Sequence, residues 1–74
     1  MTEHGVVLFH TTSSVMKAEK VLAKGGYSTR LIPTPRQFSS DCGIALRFNW
    51  NESEQVRNAL EEARVEYDTF YCLE

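Results

Sequence analysis

Cys42 is the residue of this sequence best suited to covalent chemistry, because it lies in a polar loop over residues 36–43. A cysteine thiolate is a strong nucleophile, and nearby positive charge or unpaired N–H groups lower the pKa of a cysteine. Gly43 follows directly and has no side chain, so it lets a second molecule approach closely or permits a positive φ. These features predict a surface thiolate that attacks, or is loaded with, an electrophilic sulfur or selenium atom.

The neighbours of Cys42 in this loop are polar. Ser39, Ser40 and the backbone amides offer hydrogen-bond donors to an anion, a persulfide or an oxyanion. Arg36 would stabilise a thiolate, whereas the adjacent Asp41 would act against it. The alternative interpretation is that Cys42 is a small buried apolar residue at the start of a strand, since cysteine is among the most frequently buried residue types.

Short apolar and β-branched runs predict the strands that position this loop. The predicted strands cover residues 5–10, 27–32, 44–49 and 65–72. Pro33 and Pro35 are expected to end the second of these strands, because proline cannot donate a ladder hydrogen bond.

Apolar residues at helical spacing predict two helices between these strands. The first begins within the hydroxyl run Thr11–Ser14 and stops at Gly25-Gly26, where glycine enters a left-handed C-cap without strain. Asn51 followed by Glu54 resembles a capping box at the start of the second helix. The apolar face of that second helix consists of Val56, Ala59, Leu60 and Ala63.

The order strand, helix, strand, strand, helix, strand is typical of a ferredoxin-like βαββαβ sandwich. In this α+β fold an antiparallel sheet carries two helices on one face. A right-handed crossover makes the first two strands parallel, with the third lying antiparallel between them. Cys42 is then expected beside Thr11 and Thr12, at the helix end that carries unpaired N–H groups and about half a positive charge.

Histidine and cysteine spacing bears on catalysis and on metal binding. His10 ends the first predicted strand and would lie near Cys42, where it could act as a base, although a lone histidine is more often structural or solvated. His4, His10 and the two cysteines follow no recognised ligand spacing, so no metal and no cofactor are expected.

Composition predicts one ordinary globular domain over residues 1–74. Hydrophobic residues are 42% and charged residues 24% of the chain, and the net charge is -2, which disfavours nucleic-acid and membrane-surface binding. The N-terminal residues lack a signal-peptide pattern, so a cytoplasmic protein with reduced thiols is expected. The topology places Cys42 and Cys72 far apart, which excludes a disulfide between them.

Two segments around the loop resemble a known family. The run Arg30-Leu-Ile-Pro-Thr-Pro-Arg36, followed by Ser39-Ser-Asp-Cys-Gly-Ile-Ala-Leu46, resembles the core motif of the family named putative selenium/sulfur carrier protein-like. The resemblance extends from about Val6 to Tyr71.

This resemblance implies a carrier rather than a true catalyst. Cys42 would hold sulfur or selenium as a persulfide or selenopersulfide. The donor would be a protein such as a cysteine desulfurase, and a second protein would be the acceptor. Arg36, Ser40 and Gly43 match the positions around the family cysteine.

Two other function classes remain open. A non-catalytic interaction module would use the sheet face or the loop Pro33–Gly43, where Phe38 could anchor a partner or instead fold back over the loop. A thiol redox sensor would form sulfenic acid with peroxide. Loading of Cys42 with sulfur distinguishes the carrier from both.

Overall fold

The chain follows the predicted order of strands and helices in residues 3–38 and 42–73, which are the residues that the computed structural model describes. The strands are β1 (His4–Val7), β2 (Thr29–Pro33), β3 (Ile44–Asn49) and β4 (Phe70–Cys72). The helices are α1 (Thr12–Lys24) and α2 (Ser53–Glu62), and a 3-10 turn (Trp50–Glu52) precedes α2.

The strands form one sheet with the spatial order β2-β3-β1-β4. Every neighbouring pair is antiparallel, so β1 and β2 are parallel to each other and β3 lies between them. This order confirms the ferredoxin-like α+β fold. Because β1 and β2 run in the same direction, the loop after β2 leaves the sheet at the end where α1 begins.

Both helices pack on the same face of the sheet, as predicted. The fully buried residues of α1 are Val15, Ala18 and Leu22, and those of α2 are Val56 and Leu60. They form one core cluster with the sheet residues Val7, Phe9, Leu46 and Phe48. Burial of each large apolar side chain stabilises the fold by about 1.5–3 kcal/mol, so this layer is the main source of stability.

The opposite face of the sheet is also covered at its centre. Val6, Leu8 and Ala45 are at most 1% exposed there. The chain that follows β2 folds over this face, and the ring of Phe38 stacks on the ring of Tyr71 with centroids 4.1 Å apart. Phe38 therefore packs onto the sheet of its own chain.

The ends of α1 follow the sequence pattern, whereas the start of α2 does not. Thr11 caps α1, since its Oγ1 accepts a hydrogen bond from the Ser14 amide at 3.2 Å. Gly26 follows α1 with φ +84, in the left-handed region that glycine tolerates best. The capping box predicted from Asn51 is wrong, because Asn51 lies inside the 3-10 turn and Glu52 occupies the N-cap of α2 without a side-chain cap bond.

Several strand boundaries also differ from the prediction. The regular ladder of β1 ends at Val7, because Leu8 bonds to two successive residues. The Asp68 amide donates to the carbonyl of Leu8 at 2.6 Å, and the Leu8 amide donates to the carbonyl of Thr69 at 2.8 Å. Two residues opposite one form a β-bulge. β4 begins at Phe70, well after the predicted start at residue 65, because the Val65 amide bonds to the carbonyl of Leu60 at 2.9 Å and stays with the end of α2.

The second strand is shifted towards the prolines. The Tyr27 amide bonds to the carbonyl of Leu22 at 3.0 Å, which keeps this residue with the helix end rather than the sheet. Pro33 is the last residue of β2 and pairs with Ile44. A proline is tolerated there because β2 is an edge strand.

Tyr67 gives the segment between α2 and β4 a pH dependence. Its Oη donates a hydrogen bond to Oε2 of Glu61 at 2.8 Å. Partial burial raises the pKa of Tyr67 above 10.0, and the hydrogen bond and charge of Glu61 raise it further, while the charge of Arg57 acts in the opposite sense. The folded protein therefore holds this phenolic proton more tightly than the unfolded chain does.

We expect the protonated Tyr67 to contribute to the stability of the fold, and this contribution is fully present at any pH below the unfolded tyrosine pKa of about 10. The stabilisation is lost as the pH rises through the higher folded pKa. An absorbance titration of the native protein should show a late phenolate component that the Tyr67→Phe variant lacks. Loss of an early component instead would contradict the assigned direction.

Candidate functional site

Thr34 closes the base of the loop that carries Cys42. Its amide donates a hydrogen bond to the carbonyl of Gly43 at 3.0 Å, and its Oγ1 donates to the carbonyl of Cys42 at 2.8 Å. These bonds extend the β2–β3 pairing one step beyond the Pro33–Ile44 pair. The backbone of Cys42 is thereby fixed against the end of the sheet.

The thiol of Cys42 faces the beginning of α1. Its Sγ lies 3.9 Å from Oγ1 of Thr12, the first residue of that helix, and either atom could be the donor. The topology predicted this proximity, and the contact with Thr12 confirms it. Thr11, also proposed for the site, uses its hydroxyl to cap the helix. A sulfur anion placed here would lie at the positive end of α1.

Cys42 is buried, with 4% of its surface exposed, and it belongs to the core cluster on the helix side of the sheet. The prediction of a surface thiolate is therefore wrong. The side-chain alternation of β3 explains this burial, because Cys42 precedes Ile44 by two residues and points to the same face. A reagent in solvent therefore has little access to Cys42.

Gly43 is exposed beside the buried thiol. Its φ lies outside the left-handed region, so the suggested positive φ does not occur. A Cβ built at Gly43 would meet no atom of the described residues within 4 Å. The described residues around this position therefore leave space beside Gly43.

His10 and Arg36, two further predicted site residues, follow the ends of β1 and β2 and so lie at the same end of the sheet as Cys42. His10 and Arg36 are exposed, and in the described part of the chain no hydrogen bond or ion pair links either one to Cys42. The turn that carries Arg36 is closed by a bond from the Phe38 amide to the carbonyl of Pro35 at 3.0 Å. Ser39, Ser40 and Asp41 lie outside the described residues.

Thr34 is a site residue that the sequence interpretation missed. The two prolines predict only the end of a strand, although the threonine between them retains both an amide and a side-chain donor. Its partners are the carbonyls of Cys42 and Gly43, eight and nine positions along the chain. No local pattern identifies such partners.

Cys72 lies away from the site. It pairs with Gly5 near the start of β1, it is exposed, and its Sγ is 3.9 Å from Oε1 of Glu3. In the described part of the chain neither Cys42 nor Cys72 forms a disulfide bond.

Residues 3–38 and 42–73 contain no cluster of three or more His, Cys, Asp or Glu side chains that could hold a metal ion. Neither helix in this part of the chain has the length and apolar character needed to cross a membrane.

The comparison with known families agrees with the motif around the loop. A family model described as Putative Se/S carrier protein-like matches residues 4–72, which include every strand and helix and the site cysteine. No curated protein and no solved structure matches the chain. Because the family model covers nearly the whole sequence, this chain belongs to the Se/S carrier protein-like family.

Proposed function

We propose that this protein carries sulfur or selenium on Cys42, as a persulfide or selenopersulfide. The observation that supports this most directly is the position of the Cys42 sulfur, 3.9 Å from the Thr12 hydroxyl at the N-terminus of α1. Membership of the Se/S carrier protein-like family supports the same cargo. The donor is a protein persulfide such as that of a cysteine desulfurase, and the acceptor is a second protein.

The loading step transfers one sulfur atom without net oxidation. Sγ of Cys42 attacks the terminal sulfur of the donor persulfide, so a new S–S bond forms on Cys42 while the S–S bond of the donor breaks. The donor cysteine leaves as a thiolate and takes up the proton that Cys42 loses. Delivery to the acceptor is the same exchange in the opposite sense.

The N-terminus of α1 stabilises the charge that this exchange places on sulfur. The first amides of a helix have no partner within the helix, and they carry the positive end of its dipole. Thr11 already satisfies the Ser14 amide, which leaves the amides of Thr12 and Ser13 for the cargo. The terminal sulfur of a Cys42 persulfide would extend the side chain by one atom in this region.

Burial of Cys42 adds a condition to the proposal. At 4% exposure the sulfur cannot meet a donor persulfide unless the loop opens. Thr34 is the point at which it opens, since both of its hydrogen bonds hold residues 42 and 43. Docking of the donor protein supplies the contacts that stabilise the open form. A cytoplasmic location belongs to the same proposal, because a free thiol persists there.

The test is to incubate the protein with a cysteine desulfurase and cysteine, and then to locate added sulfur by peptide mass spectrometry. We expect the mass of one sulfur atom on the peptide that contains Cys42. Cys42→Ser should abolish loading, and Cys72→Ser is the matched control that should load as the native protein does. Selenocysteine in place of cysteine extends the same assay to selenium.

Sulfur on Cys72 alone, or equal loading of the two cysteines, would reject Cys42 as the carrier residue. An active desulfurase and an unloaded Cys42 would favour the interaction module instead. One observation favours that alternative, namely that Cys42 packs in the core as a small apolar residue. The module predicts that a partner binds equally well to the Cys42→Ser variant. A redox sensor predicts sulfenic acid at Cys42 after treatment with peroxide.

A further inference from the structure

A second polar site lies at the other end of the sheet, away from Cys42. A cavity of about 190 Å³ opens there between the ends of β2, β3 and β1. Its polar lining includes His4, Ser28, Thr29, Arg30, Arg47 and Asn49. We propose that this cavity, named here the arginine pocket, binds a small oxyanion of the phosphate or sulfate type.

The two arginines of the pocket are direct cross-strand neighbours. Arg30 of β2 pairs with Arg47 of β3. Opposed residues of an antiparallel pair project to the same side. Arg30 and Arg47 project from the face away from the helices. Ile32 lies two residues from Arg30 in β2 and Ala45 lies two residues from Arg47 in β3, and both pack on that face. Both guanidinium groups thus belong to one face of the sheet.

This arrangement is unfavourable in the absence of a ligand. Like charges directly opposite each other destabilise a sheet. Among residues 3–38 and 42–73 no carboxylate forms an ion pair with Arg30 or Arg47, so the protein itself does not neutralise them there. An anion held between the two side chains converts the repulsion into two attractive contacts.

The remaining polar groups of the pocket complete a set of hydrogen-bond donors. His4 pairs with Asn49 across β1 and β3, and the alternation places both on the same face as Arg47. An imidazole has an N–H in either protonation state, and an asparagine amide has two. Ser28, directly before β2, adds a hydroxyl group on the same face, because it precedes Arg30 by two residues. Arginine forks match the spacing of two oxygens on one phosphorus, sulfur or carboxyl carbon.

The size of the pocket indicates a small ligand. A volume of about 190 Å³ lies below the roughly 300–1,000 Å³ of sites for drug-sized molecules. The chain has a net charge of -2, so the attraction for an anion is local to this face. The pocket and Cys42 lie about five strand residues apart, or roughly 17 Å. The proposal is therefore independent of the carrier function.

The test measures binding of inorganic phosphate and of sulfate by calorimetry and thermal unfolding, with sodium chloride at equal ionic strength as the reference. We expect saturable binding, and a melting temperature that rises with phosphate or sulfate but not with chloride. Arg30→Gln and Arg47→Gln should each weaken binding about tenfold or more, since each removes charge-assisted hydrogen bonds. Lys20→Gln removes one exposed positive charge from α1 and should bind as the native protein does.

Arg30 is exposed on an edge strand, so Arg30→Gln should remain folded, and circular dichroism checks this directly. Equal binding by the native protein and Arg30→Gln would overturn the proposal. So would an equal rise in melting temperature with chloride. Tighter binding of a nucleoside monophosphate than of phosphate would support the pocket and identify a phosphoryl group as the natural ligand. Tighter binding of a single-stranded oligonucleotide than of either would overturn it in favour of a nucleic-acid backbone.

Discussion

An alkylating reagent should modify Cys72 of the native protein on the order of 100 times faster than Cys42. Cys72 is exposed, whereas Cys42 is 4% exposed and packs in the core. Cys42 reacts only through a local opening, and an opening free energy of about 3 kcal/mol, within the range of local openings, slows the reaction roughly 100-fold. The two rates come from one sample by peptide mass spectrometry, so Cys72 is an internal reference.

Thr34→Val should reduce the difference between the alkylation rates of Cys72 and Cys42. The substitution removes the hydrogen bond from Oγ1 to the carbonyl of Cys42 and leaves the backbone bond to Gly43 in place. A net hydrogen bond contributes about 0.5–1.5 kcal/mol, so the loop should open about 2 to 12 times more often, and Cys42 should react faster by the same factor.

Thr69→Val is the matched control, because its hydroxyl bonds only to the neighbouring Asp68 carboxylate in an exposed position. It should leave the rate at Cys42 unchanged. If Cys42 reacts as fast as Cys72 in the native protein, the thiol is open in solution. The carrier proposal would then need no docking step. If Thr34→Val has no effect, the loop does not open at its base.

Gly5→Ala should destabilise the fold by about 1–3 kcal/mol, which is the usual cost of extra volume in a packed core. A Cβ at Gly5 would overlap the ring of Trp50 and would lie 2.8 Å from Cζ of Phe48. Phe48 is also the cross-strand partner of Gly5, and it is 1% exposed, so its ring has little room to move. For a chain of 74 residues the total stability is about 4–11 kcal/mol, so this loss is a large share.

Gly43→Ala is the matched control for the same chemical change. Its added methyl group meets no atom of residues 3–38 and 42–73 within 4 Å, and the backbone there is outside the left-handed region. The substitution should be neutral, or it should stabilise by up to about 1 kcal/mol by restricting the unfolded chain. Denaturant unfolding of the three proteins gives both differences, with about 4–8 °C in melting temperature expected for each kcal/mol. Equal stabilities of the two variants would contradict the packing described for Gly5.

The alkylation experiment also bears on how a carrier of this kind would work. A protected thiol keeps a persulfide away from solvent thiols, which would otherwise remove the outer sulfur by exchange. The same protection requires that donor and acceptor open the loop themselves. If the donor protein accelerates alkylation of Cys42 and leaves the rate at Cys72 unchanged, docking and opening are coupled. If the donor protein does not accelerate alkylation of Cys42, docking does not open the loop.

The sequence by itself determined the order of the elements, the fold class and the end of the sheet at which Cys42 lies. The helices follow from apolar residues three and four positions apart, and β3 follows from strict alternation between Ile44 and Asn49. The right-handed crossover then made β1 and β2 parallel, and this alone brought residue 42 to the start of α1. These features depend on neighbouring residues or on a general rule of chain geometry.

Only the tertiary structure decided the burial of Cys42, the stacking of Phe38 on Tyr71 and the pairing of Arg30 with Arg47. It also replaced the capping box with a 3-10 turn and ended the ladder of β1 at a bulge. Each of these depends on register and on contacts between residues far apart in the chain. A shift of one residue in register reverses which side chains face the core, so no local pattern fixes them.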